Sequence, residues 1–197
     1  MKKIILLPLV AASAAFITGC GTNAHYVETG GRQSIVSIGQ INDQDFIAAA
    51  NAAASDLIAS GVLDKAQHSP AVLVLSRIVN NTGQQIDTDL LTQKIRIAVL
   101  NSGKATFTTT MGLGGKAEDQ MAKGLQQQEE FMNDSKPQPL PDFSLSGKII
   151  ETVARAGNTS QSTYSFQLTL TDPKTGNAVW AIEKQITKQG TRSSVGF

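Results

Sequence analysis

The chain has 197 residues, and its 17 Lys and Arg residues nearly balance its 16 Asp and Glu residues, for a formal net charge of +1. This balance argues against the strongly basic surface that nucleic-acid binding requires, so we expect no nucleic-acid partner. Hydrophobic residues make up 41% of the chain and aromatic residues 5%, which predicts an aliphatic core in one domain with short tails.

Residues 1–19 have the pattern of a signal peptide. Two lysines precede an apolar segment, residues 4–17, that is shorter than the about 20 residues of a membrane-spanning helix. The next residues, Ile17-Thr18-Gly19-Cys20, resemble the lipobox of bacterial lipoproteins. The resemblance implies cleavage before Cys20, the only cysteine, and acylation of that residue. An ordinary secretory signal, cleaved near the alanines before position 16, is the alternative.

Gly21 indicates, by the same resemblance, which membrane holds the lipid. It stands where an aspartate retains such lipoproteins in the inner membrane. We therefore expect the protein on the periplasmic face of the outer membrane, anchored through Cys20. With Cys20 acylated no thiol remains, so no disulfide framework is expected.

A short tether is expected between the lipid and the folded domain. It comprises residues 20–33, which are Cys20 and 13 polar, glycine-bearing residues without periodicity. These 13 residues would reach about 45 Å when fully extended. Residues 34–197 are expected to form a single globular domain. That domain would begin at Ser34–Ile38 with a weak strand or a docking arm.

The first predicted elements of the domain are a helix and a buried strand. Apolar residues recur at helical spacing from Phe46 to Ile58, with Asp43 as the expected N-cap and Gly61 as the stop. The nearly continuous apolar run Ala71–Val79 predicts a strand in the centre of the sheet, buried on both faces.

A second helix and a second strand follow the turn at Asn80–Gly83. Asp87 or Thr88 is expected to cap a helix that extends to about Asn101. The segment Ala105–Thr110 then predicts a strand. A strand, a helix and a further strand in this order favour an α/β arrangement.

The last third of the chain predicts one helix and an antiparallel meander. Apolar residues from Ala117 to Met132 have amphipathic helical spacing after a glycine loop at 112–115, and the Pro-containing residues 136–141 form an extended connector. Three alternating strands contain Phe143, Leu145 and Ile149, then Tyr164, Phe166, Leu168 and Leu170, then Trp180, Ile182 and Ile186. We expect an α/β (α+β) fold, a mixed β-sheet with a C-terminal antiparallel meander and helices packed on the sheet.

Few side chains belong to a sequence pattern that indicates catalysis or metal binding. His25 and His68 have no His or acidic neighbour at metal-ligand spacing, so both are expected to face solvent. No G-x-S-x-G elbow marks a nucleophilic serine. Four carboxylates lie near strands and could do acid-base work only if two were a few ångströms apart: Asp142, Glu151, Asp172 and Glu183. We expect no catalytic residue, no metal and no cofactor, and we expect Trp180 in the core.

Six segments, mostly strand, turn and helix-end signals, carry a family resemblance. They are Val79-Asn80-Asn81-Thr82, Asn101-Ser102-Gly103-Lys104, Pro141-Asp142-Phe143-Ser144-Leu145-Ser146-Gly147, Leu168–Asp172, Thr175-Gly176 and Val179-Trp180. In this order they resemble the LpoB-type activators of penicillin-binding proteins, over about residues 71–189. The resemblance identifies the fold more directly than it identifies the partner.

The resemblance implies a non-enzymatic outer-membrane lipoprotein that regulates cell-wall synthesis. Such proteins bind a bifunctional penicillin-binding protein on a non-catalytic domain and stimulate peptidoglycan synthesis. The residues that would bind this partner are not indicated. The short tether differs from the long Pro-rich linker of well-studied relatives. Related domains also occur in lipoproteins of outer-membrane assemblies, so a structural lipoprotein of such an assembly, of the secretion or flagellar type, is the alternative.

Overall fold

The computed structural model describes residues 25–29, 31–111, 117–133 and 140–191. The predicted signal peptide, Cys20, the glycine loop at 112–115 and most of the Pro-containing connector lie outside these residues. The elements, in chain order, are α1 (Asp43–Ala59), a 3-10 helix (Val62–Lys65), β1 (Ala71–Asn81), α2 (Asp89–Asn101), β2 (Ala105–Phe107), α3 (Gln120–Asn133), β3 (Phe143–Ala156), β4 (Thr159–Thr171) and β5 (Ala178–Thr191). Within the described residues, no helix is long and apolar enough to cross a membrane.

The five strands form one mixed sheet in the order β2-β1-β3-β4-β5. β1 pairs in parallel with both β2 and β3, whereas β3, β4 and β5 pair antiparallel through two hairpins. The predicted mixed sheet with a C-terminal meander is therefore confirmed. The hairpin turns contain Gly157 and Gly176 at φ values of 56° and 72°, a left-handed conformation that glycine adopts without steric cost.

One face of the sheet carries the core, beneath α1 and α2. Its fully buried side chains include Leu73 and Leu75 from β1, Leu145 and Ile149 from β3, and Tyr164, Phe166, Leu168 and Leu170 from β4. Leu57 of α1 and Leu91, Ile95 and Val99 of α2 complete the layer. The core joins all these elements in one cluster.

Among the described residues, the opposite face of the sheet is partly open to solvent, which corrects the expectation for β1. Burial alternates along this strand, so only one of its faces is fully buried. The open face holds a shallow cavity of about 320 Å³ lined mainly by polar residues of β3 and β4. A Cβ added at Gly147 of β3 would collide with the carbonyl oxygen of Gln167 and lie 2.7 Å from Cδ2 of Leu168. Glycine is therefore required where β3 approaches β4.

The ends of α1 and α2 follow local chemistry that differs in detail from the prediction. Asn42, rather than Asp43, caps α1 in a capping box, in which the side chains of Asn42 and Asp45 each accept a hydrogen bond from the other's backbone N–H. Gly61 follows α1 at φ 68°, as its predicted role as a stop requires. Thr88 occupies the N-cap position of α2 without a side-chain cap bond.

Helix α3 forms where its spacing predicts, but its apolar side chains are exposed. The exposed fractions are 79% for Met121, 61% for Leu125, 90% for Phe131 and 71% for Met132. The amphipathic pattern therefore identifies the helix without identifying a surface that it covers.

Two short segments differ from their predicted strands. Residues 34–38 form turns and irregular backbone, which leaves the docking arm of the two predicted alternatives, and β2 ends at Phe107 instead of Thr110. The side chain of Ile38 occupies the space that a Cβ at Gly190 would need, so this segment docks on β5. We call residues 34–42 the arm.

Candidate functional site

Polar side chains gather at the two opposite ends of the sheet. We call the end where β1 and β3 begin the loop end, since the segments around residues 61–70, 102–104 and 172–177 meet there. We call the other end, where the arm lies against β5, the arm end.

A buried carboxylate organises the loop end. Asp142 contacts His68 Nδ1 through Oδ1 at 2.9 Å and Oδ2 at 3.0 Å, and the exposed fractions of the two side chains are 3% and 39%. The prediction that His68 faces solvent is therefore wrong in part, because the fold brings an acidic partner from 74 residues away. His25, in contrast, is exposed.

Asp142 also accepts two backbone hydrogen bonds. Val72 N–H donates to Oδ2 at 2.8 Å, and Gln67 N–H donates to Oδ1 at 3.2 Å. Burial alone would raise the pKa of Asp142, but the Val72 hydrogen bond and His68 together hold that pKa below its ordinary value of 3.8. These contacts fix the start of β1 and the loop before it.

The other three predicted carboxylates have separate partners. Asp172 accepts from Lys174 N–H and the Thr175 hydroxyl within its turn, and these hydrogen bonds lower its pKa. Glu183 accepts from Gln185 on the exposed face of β5, and its pKa is also lowered. Glu151 accepts from Gly83 N–H and from the Tyr164 hydroxyl. None of these contacts forms the carboxylate pair that acid-base catalysis would need.

Two side-chain contacts join the remaining segments of the loop end. Lys104 Nζ lies 2.8 Å from Asp64 Oδ1, and Lys174 Nζ donates to Gln67 Oε1. Cavities of about 130 Å³ and 190 Å³ lie beside these contacts. Both are smaller than the roughly 300–1,000 Å³ of typical small-molecule sites. The loop end therefore suits contact with a larger partner better than capture of a small ligand.

A buried ion pair organises the arm end. Lys188 Nζ lies 2.5 Å from Asp45 Oδ2 and donates to the Gln40 carbonyl at 2.8 Å, and both charged side chains are less than 10% exposed. The pair joins β5, the first turn of α1 and the arm. No local sequence pattern indicates this pair, because Lys188 and Asp45 are 143 residues apart and neither belongs to a recognisable motif.

A second group of hydrogen bonds continues this network across the sheet. Gln84 Nε2 donates to the Tyr164 hydroxyl at 2.9 Å, and Ile41 N–H donates to Gln84 Oε1 at 2.8 Å. The Tyr164 hydroxyl donates in turn to Glu151 Oε1 at 3.2 Å. Burial raises the pKa of Tyr164, which favours the protonated hydroxyl that this network uses as a donor. The arm is therefore held by main-chain and side-chain bonds together.

Trp180 lies at the border of the core rather than inside it. Its ring packs against the core cluster while Nε1 donates to Asp56 Oδ1 of α1 at 2.7 Å. The indole is half-buried, so the predicted core position is correct only for the side of the ring that packs.

Two further kinds of site were considered in the sequence, namely a metal site and the lipid attachment at Cys20. Over residues 25–29, 31–111, 117–133 and 140–191, no group of three or more His, Cys, Asp and Glu side chains could hold a metal ion. The predicted lipid-attachment residue, Cys20, lies outside the described part of the chain. The geometry thus offers two polar ends and an open sheet face.

Comparison with known proteins identifies the family of this chain. The model of the family described as peptidoglycan-synthase activator LpoB matches residues 45–186, which run from the first turn of α1 to β5. The chain belongs to the LpoB family. This family is one of activators rather than enzymes, and the predicted family resemblance is confirmed. No curated protein matches the chain in sequence.

The solved structures that are similar to this chain include two of E. coli LpoB. The LpoB C-terminal domain from Escherichia coli is 15% identical, with a TM-score of 0.44, and the match covers 72% of this chain and 98% of that one. The NMR structure of E. coli LpoB is 14% identical, with a TM-score of 0.39 and coverages of 96% and 94%. Lipoprotein GNA1162 from Neisseria meningitidis is 14% identical, with a TM-score of 0.35 and coverages of 64% and 88%.

Proposed function

We propose that this protein is an outer-membrane lipoprotein, anchored through Cys20, that binds and activates a bifunctional penicillin-binding protein. The observation that carries the proposal is the match of the LpoB family model over residues 45–186. The lipobox-like Ile17-Thr18-Gly19-Cys20 supports the anchor, and residues 20–33 would link it to one folded domain at 34–197.

The proposed role is binding without chemistry. Four carboxylates are each engaged in separate hydrogen bonds, which supports a structural use for them: Asp142, Glu151, Asp172 and Glu183. An activator works by binding the active state of the synthase more tightly than the inactive state. A tenfold difference in affinity corresponds to about 1.4 kcal/mol of bias toward activity.

The test is to add the domain, residues 34–197, to each bifunctional synthase of the same cell and follow glycan-chain formation. We expect faster polymerisation with at least one synthase and recovery of that synthase in a pulldown. If polymerisation stays unchanged with every synthase and components of a secretion or flagellar assembly are recovered, the activator role is excluded and the assembly role replaces it.

A further inference from the structure

The two ends of the sheet differ in their relation to the membrane anchor. We propose that the loop end is the surface that binds a folded periplasmic domain of the synthase. This inference rests on the proposed function, because it takes both the Cys20 anchor and the synthase partner from there.

The chain enters the folded domain at the arm end. The Ile38 side chain packs over Gly190, and the Gln40 carbonyl accepts from the buried Lys188. Because these contacts fix the arm, any pull from the tether is transmitted to this end of the sheet. The outer membrane therefore lies on the side of the arm end whenever the tether is extended.

The loop end lies at the opposite end of β5 from this attachment. Gly190 and Ala178 are twelve residues apart on β5. At about 3.3 Å per residue, this part of the strand spans about 40 Å. The turn that contains Lys174 immediately precedes β5, so it lies more than about 40 Å from Gly190.

This separation matters because the tether is short. The Gly31 carbonyl accepts from Gln44 Nε2 of α1 at 3.3 Å, so the free tether is residues 21–30, which extend at most about 35 Å. A partner bound at the arm end would have to come within that distance of the lipid, whereas a partner bound at the loop end could be about 75 Å away. A linker that cannot span its two sites reduces the effective concentration to nearly zero. The length of the domain therefore favours the loop end for a partner anchored in the opposite membrane.

The loop end is also built as a rigid protein-binding surface. Asp142 fixes the loop before β1, while Lys104 and Lys174 connect to Asp64 and Gln67 of that same loop. Such loops lose little conformational freedom on binding. Exposed charges of both signs, including Lys65 and Asp64, suit the mixed polar surface of a folded domain better than a uniformly charged polymer.

The experiment uses steric blocking of the full-length lipoprotein, purified in detergent. Cysteine is introduced by Lys174→Cys at the loop end, Asn158→Cys at the β3–β4 turn of the arm end, or Leu125→Cys on α3, all of which are exposed positions. Acylation of Cys20 leaves the introduced thiol as the one that reacts with a bulky maleimide polymer. Each variant is compared with and without the polymer for binding to the synthase and for stimulation of glycan polymerisation.

Coupling at Lys174→Cys is expected to weaken synthase binding by about tenfold or more, equivalent to ~1.4 kcal/mol. Coupling at the other two positions should change it by less than about twofold, which is under ~0.5 kcal/mol. Thermal melting of the coupled proteins checks that each remains folded. Loss of binding on coupling at Asn158→Cys or Leu125→Cys, with binding retained at Lys174→Cys, overturns the assignment of the loop end. If the unmodified lipoprotein binds no synthase, the proposed function fails first, and this inference falls with it.

Discussion

Asp142 is the residue on which the loop end depends. Its carboxylate is almost fully buried and accepts hydrogen bonds from Val72 and Gln67 while it contacts His68. A side chain with fewer acceptor sites cannot satisfy all these partners. Hydrogen bonds to charged groups contribute about 1.5–3 kcal/mol each, so the loss of this carboxylate should be measurable in the free energy of unfolding.

The change Asp142→Asn should lower the free energy of unfolding by about 2–3 kcal/mol at pH 7. The reason is that the amide NH₂ group faces backbone donors and leaves one of them unsatisfied. Urea denaturation of both proteins measures the difference. Asp172→Asn, in the solvent-screened β4–β5 turn, is the control and should lower the free energy of unfolding clearly less than Asp142→Asn does.

The lowered pKa of Asp142 predicts that the effect of Asp142→Asn on the free energy of unfolding depends on pH. The folded-state pKa of Asp142 lies below 3.8, so its contribution to stability is fully present above the unfolded-state pKa of about 3.9. That contribution is lost as the pH falls through the lowered folded-state pKa. The stability difference between wild type and Asp142→Asn should therefore shrink below about pH 4. A difference that stays constant into acid would show that the carboxylate charge is not what stabilises the loop.

Among the elements of the fold, the arm depends on the buried pair of Lys188 and Asp45. The lysine also holds the Gln40 carbonyl and lies 5.9 Å from the centre of the Tyr164 ring. Removing one member of a buried pair leaves the other charge without compensation, which typically costs about 3–5 kcal/mol. The arm should therefore loosen when the pair is broken.

The variant Lys188→Met is expected to lower the free energy of unfolding by about 3–5 kcal/mol, and Asp45→Asn in the same chain should restore part of the loss. Urea denaturation measures the stability, and hydrogen exchange of the arm amides measures the loosening. Lys184→Met, an exposed lysine on the same strand, should change stability by about 0.5 kcal/mol or less. Equal effects of the two lysine variants would contradict the role of the buried pair.

Local sequence patterns predicted most of the elements because each pattern is set by near neighbours. The helical spacing in α1, the β-branched run of β1 and the alternation in β4 all depend on residues a few positions apart. Local patterns do not predict which faces are buried, because burial depends on the whole fold. The apolar run of β1 has one half-buried face, and the apolar stripe of α3 remains exposed, because layer assignment depends on how distant elements stack.

Side-chain pairs across long sequence separations were beyond local reasoning. The contact of His68 with Asp142 spans 74 residues, and the contact of Lys188 with Asp45 spans 143 residues. Each pair exists only because the sheet aligns the ends of several strands. Trp180 illustrates the intermediate case, since alternation placed its ring toward the helices but gave no sign of its hydrogen bond to Asp56.

The whole molecule is organised along the length of its strands. The arm and a buried ion pair lie at one end, and three connected loops lie at the other. α1 and α2 cover one face of the sheet between these ends, while within the described part of the chain the other face is partly open to solvent. Under the proposed function, this arrangement separates attachment to the membrane from contact with the synthase.

Under the proposed function, acyl chains on Cys20 attach the protein to the outer membrane. Several acyl chains, at about 0.8 kcal/mol per buried methylene, bind a membrane far more firmly than a single chain. Wild-type protein should therefore sediment with outer membranes in detergent-free buffer, whereas Cys20→Ser should be absent from that fraction. The purified domain, residues 34–197, should still stimulate the synthase, because the anchor supplies location and not the binding surface. A Cys20→Ser variant that still sediments with outer membranes would exclude lipidation as the means of attachment.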